Sequence, residues 1–295
     1  MELRVLRYFL AVAEEASISR AAARLHITQP TLSRQLMELE TLLGVRLFER
    51  GHKNKNITLT EEGRLLQRRA REIIELADRT QSELRTGDET LSGDVYIGGG
   101  ETDATRVLVQ TAKALQKEHP GNCYHLYSGN AEELIERLEK GLLDFCVLVG
   151  TASLEKYNYI TLPISDVWGL LLLKTSPLAS KPAITADDLQ ELPLIVPRHI
   201  LSSNELSGWY GGNIDRLQIA ATYNLIYNAV LMVTEGFGSA ICLDKLVNTT
   251  GEARSCFRPF EPRLEAQLNL VWKKDQLLSK PAQLYLEKLR QSFSI

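Results

Sequence analysis

Four leucines, Leu32, Leu36, Leu39 and Leu43, recur at helical spacing between a Thr28-Gln29-Pro30 opening and Gly44. The spacing predicts one helix that buries a leucine row. Thr28 suits its N-cap, Pro30 sits in the first turn where a missing N–H costs nothing, and Gly44 can end it. Upstream, Leu6, Phe9, Leu10 and Ala13 follow the i, i+3, i+4, i+7 pattern of an amphipathic helix. Between the two, Ser17 can cap a short helix over "ISRAAARLH". Its three alanines stop at Cβ and allow the close helix approach that a tight helix-turn-helix needs.

If the leucines are buried, Gln29, Pro30, Ser33, Arg34 and Met37 lie toward the other side. Gln29 offers a paired donor and acceptor for an adenine edge, and Arg34 a fork for guanine or phosphate. Pro30 and Thr31 offer apolar surface to a thymine methyl. That first turn is the part a helix-turn-helix inserts into the major groove. "VRLFERGHKNKNITLT" then reads as two short strands, Arg46–Arg50 and Asn56–Thr60, anchored by Leu47 and Phe48. Arg50, His52, Lys53 and Lys55 crowd the turn, making a basic wing suited to phosphates. Charge is distributed accordingly. Residues 1–60 hold nine Lys/Arg against six Asp/Glu (net +3), residues 61–88 six against seven (net −1), and residues 89–295 nineteen against twenty-four (net −5). A positive head on an acidic body points to a polyanion partner for the head alone.

From "MELRVLRYFLAVAEEASISRAAARLHITQPTLSRQLMELETLLGVRLFER" to "ITLTEEG", the chain resembles the amino-terminal winged helix-turn-helix of LysR-type transcriptional regulators. "ITQPTLSRQ", "LE..LGVRLFER" and "LT..G" carry the resemblance most specifically. It implies DNA contacts from Ser17 and Ser19 near the second helix, from Gln29, Pro30, Thr31, Ser33 and Arg34 in the third, and from Arg50 and Lys53 in the wing.

Thr60 is positioned to cap a further helix with Glu61 and Glu62 in its first turn, where the helix dipole favours negative charge. Leu66, Ala70, Ile73, Ala77, Thr80 and Leu84 form a heptad stripe along it. Such a helix over 61–86 extends roughly 39 Å and needs a partner; a second copy is favoured over its own domain, because a two-fold DNA reader needs two heads. The resemblance agrees, implying a dimer through this helix and, often, a tetramer.

From Gly93 the pattern alternates: strand "GDVYIGGG", helix "ATRVLVQTAKALQKEH", strand "CYHLYSG", helix "AEELIERLEKG", strand "DFCVLVG". This βαβαβ order predicts a mainly parallel sheet. A second α/β unit follows, with "DVWGLLLLK", "PLIVP", "LQIAATYN", the helix "LIYNAVLMVTEG" and "SAICLD". The resemblance implies that the final strand "EAQLNLVWKK" and helix "SKPAQLYLEKLRQSF" return to the first unit. The result is a two-lobed domain like the periplasmic solute-binding fold, with crossovers near Leu162–Ser165 and Pro262–Leu268. The expected architecture is therefore α/β overall. It comprises a mainly α winged helix-turn-helix over 1–60, a linker and dimerisation helix with its hinge over 61–90, and a regulatory domain over 91–295. Lobe one takes 91–162 and 268–295, and lobe two 163–267.

Ligands of open α/β sheets bind at strand carboxyl ends, against helix N-termini. Those ends offer Gly100, Glu101 and Thr102; Ser128, Gly129 and Asn130; Pro197, Arg198 and His199; and Tyr223 with Asn224. Glu101 and Asp103 would repel an anion unless they point away or bind a cationic part of the ligand. An amino-acid-like or otherwise polar effector and a plain organic acid therefore both stay open.

Other classes fare worse. "GGGETD" lacks the G-x-G-x-x-G spacing of a nucleotide loop, and no G-x-S-x-G or Gly-Lys-Ser loop occurs. The four cysteines, Cys123, Cys146, Cys242 and Cys256, show no C-x-x-C and no metal-ligand spacing with the five histidines. His119 and His125 read as turn and strand residues. An enzyme with a DNA-binding head lacks a visible catalytic constellation. A secreted solute-binding protein is opposed by the basic head and by Glu14 and Glu15, which cut short the apolar run "YFLAVA". The expectation is a cytoplasmic, ligand-modulated regulator, neither an enzyme nor a membrane protein, and without a cofactor. Its expected partners are double-stranded DNA, a small effector, other copies of itself and RNA polymerase.

Overall fold

The computed structural model describes residues 1–49, 57–85, 92–150, 154–201, 204–211 and 216–293. They form two compact units, Met1–Gly87 and Asp88–Ile295. The first contains α1 (Leu3–Glu15), α2 (Ile18–Arg24), α3 (Gln29–Leu43), β1 (Phe48–Glu49), β2 (Thr58–Leu59) and α4 (Glu61–Arg85). Its core gathers Leu6, Phe9 and Val12 of α1, Ala21 and Ala22 of α2, and Leu32, Leu36 and Leu39 of α3. Thr28 caps α3 by accepting the Thr31 N–H, and Gly44 ends it in the left-handed region at φ 70°.

Several local expectations need correction. Helix α2 stops at Arg24, because His26 adopts φ 54° and turns the chain toward α3. Leu43 is 39% exposed, since the last turn of α3 runs past the core. Among the described residues the wing strands run Phe48–Glu49 and Thr58–Leu59, with Phe48 opposite Leu59. Glu40 accepts the Leu47 N–H at 2.7 Å, while the Thr60 N–H donates to the Leu47 carbonyl at 3.0 Å and draws the chain into α4. Arg50, His52, Lys53 and Lys55, expected at the wing's tip, lie outside the described residues.

The glycine of "LT..G" has a steric reason. Thr60 Oγ1 accepts the Gly63 N–H at 2.9 Å, and a Cβ on Gly63 would meet the Leu47 carbonyl oxygen at 2.1 Å. The heptad stripe of α4 divides. Of its members, Leu66 and Ala70 pack into the unit's own core, with Ile74 beside them, whereas Ile73 and Leu84 are exposed, as are Leu65 and Leu76 off the stripe. A straight helix of 3.6 residues per turn drifts off a seven-residue stripe, so a single neighbour cannot cover all of it. Arg7 also pairs with Asp78, fastening α1 to α4.

The second unit contains β3 (Asp94–Gly99), α5 (Thr105–Glu118), β4 (Cys123–Ser128), α6 (Ala131–Glu139), β5 (Phe145–Val149), β6 (Tyr157–Leu173) and β7 (Leu194–Pro197). It continues with α7 (Asn204–Tyr210), β8 (Ile219–Tyr223), α8 (Ile226–Thr234), β9 (Ser239–Leu243), β10 (Ser255–Pro259), β11 (Glu265–Lys273) and α9 (Lys280–Phe293). The strands run β4-β3-β5-β11-β6-β9-β7-β8, with β10 also on β6. Strands β3, β4 and β5 are mutually parallel, as are β7, β8 and β9.

Strand β11 lies antiparallel between β5 and β6, and Tyr285 of α9 donates to the Leu108 carbonyl of α5 at 3.0 Å. The chain's last elements thus join its first α/β layer. Strand β6 is 17 residues long and begins at Tyr157, nine residues before the expected start at Asp166. Its first half pairs with β11 and its second with β9 and β10. The register shifts near Pro163, which has no N–H to give a ladder. Helix α7 and strand β10 were not expected from the pattern. Phe145, Trp272 and Tyr285 centre one core and Trp168, Leu194 and Phe260 another.

Candidate nucleic-acid interface and ligand site

Burial of Leu32, Leu36 and Leu39 turns the first turn of α3 outward. Gln29, Pro30, Thr31 and Arg34 are exposed and Ser33 is half-buried. Arg34 Nε lies 3.7 Å from Glu38 Oε1, a loose, solvent-exposed pair that leaves the guanidinium available. The Thr31 hydroxyl is 2.8 Å from that of Thr28, so part of its capacity is spent inside the cap. Ser17 likewise acts as the N-cap of α2, accepting the Arg20 N–H at 3.4 Å, while Ser19 is exposed. Arg24 is engaged with Glu14 at 2.9 Å and Glu15 at 3.4 Å, and hydrogen bonding by Glu14, followed by its charge, holds the Arg24 pKa above its usual value. What remains is a compact polar turn backed by a rigid apolar face, the form needed to hold Gln and Arg at fixed heights along a groove.

In the second unit, the register brings Gly99 opposite Ser128 and Pro197 opposite Tyr223. Each pair of strand ends is therefore adjacent. Gly129 N–H donates to the Gly99 carbonyl at 3.3 Å, and a Cβ on Gly100 would lie 4.0 Å from the Gly129 carbonyl oxygen. Ser128 is exposed, and Asn130 caps α6 by accepting the Glu133 N–H at 2.9 Å. Pro197 is buried, whereas Arg198 and Asn224 are exposed. The Tyr223 hydroxyl donates to the Ile241 carbonyl at 2.8 Å, and burial above all raises its pKa.

One contact joins the two sets of strand ends. Glu101 Oε2 accepts the Ile226 N–H at 2.5 Å, at the start of α8. A helix N-terminus carries partial positive charge and unpaired N–H groups, so Glu101 fills what would otherwise receive an anion. The entry to α5 is filled in the same way. Thr102 donates to the Asp166 carboxylate and accepts the Ala104 N–H at 3.1 Å. Burial is the main cause that raises the Asp166 pKa above the ordinary carboxylate value. The Thr102 hydrogen bond opposes the shift and the Asp244 charge adds to it. Asp103 turns back to Arg106 at 3.0 Å.

Glu101 thus turns toward the start of α8, and Asp103 turns away toward Arg106. Asp166 and the Ile226 amide escaped the sequence reading, although a carboxylate beside the apolar run "VWGLLLL" was a usable signal. Cys146, Cys242 and Cys256 are buried, and burial pushes the Cys146 and Cys242 thiols up to about 12. Cys123 is exposed. Among the described residues no helix is long and apolar enough to cross a membrane.

Comparisons with known proteins agree with this division. Residues 3–64 match the family model described as bacterial regulatory helix-turn-helix protein, lysR family, and residues 88–294 match the LysR substrate binding domain. The chain is 28% identical over 297 residues to the HTH-type transcriptional regulator BsdA of Bacillus subtilis, covering 97% of this chain and 99% of that one. It is 31% identical over 255 residues to the HTH-type transcriptional regulator EstR of Acinetobacter baylyi, covering 84% and 81%. Among solved structures, full-length CbnR complexed with its target DNA superposes with a TM-score of 0.77 at 23% identity, covering 99% of this chain and 100% of that one. That likeness concerns the fold. The relatives are regulators rather than enzymes, and the two family models together span nearly the whole chain. It belongs to the LysR family of bacterial transcriptional regulators, with a DNA-binding head and a substrate-binding domain.

Proposed function

We propose that this regulator reads a defined operator as a homodimer or homotetramer, and that a small polar effector bound between the two lobes modulates it. The carrying observation is the exposed turn at Gln29–Arg34, held by the buried face of its own helix. Gln29 and Arg34 are the base readers, with Pro30, Thr31 and Ser33 closing on the groove. Ser17, Ser19, Arg50 and Lys53 position the phosphate backbone. Residues 1–60 act as the head, 61–90 as linker and dimerisation helix, and 91–295 as the regulatory part. Its lobes are 91–162 with 268–295, and 163–267. The exposed Leu65, Ile73, Leu76 and Leu84 of α4 support a second copy there. Such a regulator works in the cytoplasm, where its promoter and RNA polymerase are.

Replacing Arg34 by alanine is expected to cost about 1–3 kcal/mol on the operator and much less on unrelated duplex. Fluorescence anisotropy on both duplexes measures it. Equal losses on the two would remove Arg34 from the base readers.

The effector site is drawn from Gly100, Glu101, Thr102, Ser128, Gly129, Asn130, Pro197, Arg198, Tyr223 and Asn224. Because Glu101 and Asp166 already occupy the two helix entries, the effector presents a cationic or hydrogen-donating group toward Glu101. This favours an amino-bearing molecule over a plain organic acid. Its preference for one lobe arrangement changes the spacing of paired heads and so the promoter's activity. Thr102→Val is a poor probe, since it would leave the buried Asp166 without its hydroxyl partner. Ser128→Ala is the cleaner one. It should weaken effector binding by up to about tenfold, the worth of one hydrogen bond, with DNA affinity unchanged. Calorimetry with a panel of amines and acids tests this, and a response to plain acids alone would overturn the assignment of Glu101.

A further inference from the structure

Strands β3 and β4 set four side chains in a square on one face of the sheet, at the end opposite the proposed effector site. Parallel pairing places Asp94 beside Cys123 and Tyr96 beside His125. Since side chains alternate along a strand, residues two apart share a face. His125 Nε2 lies 3.1 Å from Asp94 Oδ1, and one donor atom each from Asp94, Cys123 and His125 all fall within 4.8 Å of one another. The His125 ring stacks on Tyr96, with centroids 4.6 Å apart and planes 13° from parallel. The sheet therefore holds two of the ligands on neighbouring backbones and a ring fixes the orientation of the third.

From this geometry we infer that Asp94, Cys123 and His125 bind one zinc-class divalent ion. Tetrahedral zinc, with bonds of about 2.0–2.3 Å, needs ligand atoms about 3.3–3.8 Å apart. His125 Nε2 and Asp94 Oδ1, 3.1 Å apart, already stand close to that range, and one donor atom of Cys123 lies within 4.8 Å of a donor atom of each. Thiolate and imidazole select zinc-class ions over calcium and magnesium. On binding, the Cys123 thiol releases its proton to solvent, the imidazole binds neutral, and thiolate plus carboxylate balance the dication. Both Cys123 and His125 are exposed, so an ion can enter and a water can complete the fourth position. The site lies five residues down β3 from Gly99, roughly 16 Å along the strand. It cross-links β4, an end strand of the sheet, to its neighbour.

Cobalt(II), added to the full chain with any affinity tag removed, is the spectroscopic probe. The expected result is one ion per chain with an intense thiolate-to-cobalt charge-transfer band. That band disappears in Cys123→Ser, and in His125→Ala affinity falls by at least the tenfold that loss of an outer-shell partner costs. Absence of the band, or its survival in Cys123→Ser, overturns the site. A second reading needs no folded serine variant: zinc should slow the reaction of Cys123 with a disulfide reagent at least tenfold in the parent chain but not in His125→Ala. Equal rates with and without zinc in the parent chain would also overturn it.

Discussion

Leu32→Ala will destabilise the amino-terminal unit by about 2–5 kcal/mol, the cost of a cavity at a fully buried leucine. Leu32 is 0% exposed and packs with residues of α1 and α2. A domain's whole stability is about 5–15 kcal/mol, so the loss opens the unit at temperatures where the parent stays closed. Leu42 of the same helix is 64% exposed, and Leu42→Ala should change stability by no more than about 0.5 kcal/mol. Hydrogen exchange of α3 amides in the full chain reads both. The Leu32→Ala amides should lose protection strongly and those of Leu42→Ala should not, and operator affinity should fall with the first. Equal protection in the two variants would mean that the leucine row does not hold the reading turn in place.

Operator binding should also collapse with salt. Lys and Arg side chains that neutralise phosphates release counterions, giving a log–log slope of about −0.9 per phosphate. If two heads together make about six to ten such contacts, affinity drops about 10³–10⁵-fold between 50 and 200 mM salt. The head's net charge of +3 is too small to produce this by long-range attraction. The slope must come from placed cations that meet phosphates, such as those assigned to the wing. Arg24 should add little, being engaged with Glu14 and Glu15. Titration of parent and Lys53→Ala should differ by about one in slope. A parent slope near zero would end the assignment of wing cations such as Lys53 to phosphates.

Much of the head was legible in the sequence because its determinants act within a turn or two. Thr28, Pro30 and Gly44 bound α3 as their chemistry requires. The heptad stripe of α4 states that a face is apolar, not which neighbour takes each part of it. Leu66 and Ala70 went to the unit's own core, and Ile73 and Leu84 stayed exposed. The early start of β6 was hidden by its mixed burial, buried at Tyr157, Ile160 and Leu162 and exposed between them. Its partner β11 lies more than a hundred residues later in the chain.

By itself the sequence determined the helices of the head, the outward polar turn and the alternation of strands and helices in the body, since caps, prolines and apolar spacing work through neighbours in the chain. Only the tertiary structure decided that Glu101 reaches the amide of Ile226, 125 residues away, and that Asp94 stands beside Cys123 and His125. Those meetings depend on strand order and register, which long-range burial selects and no local spacing encodes.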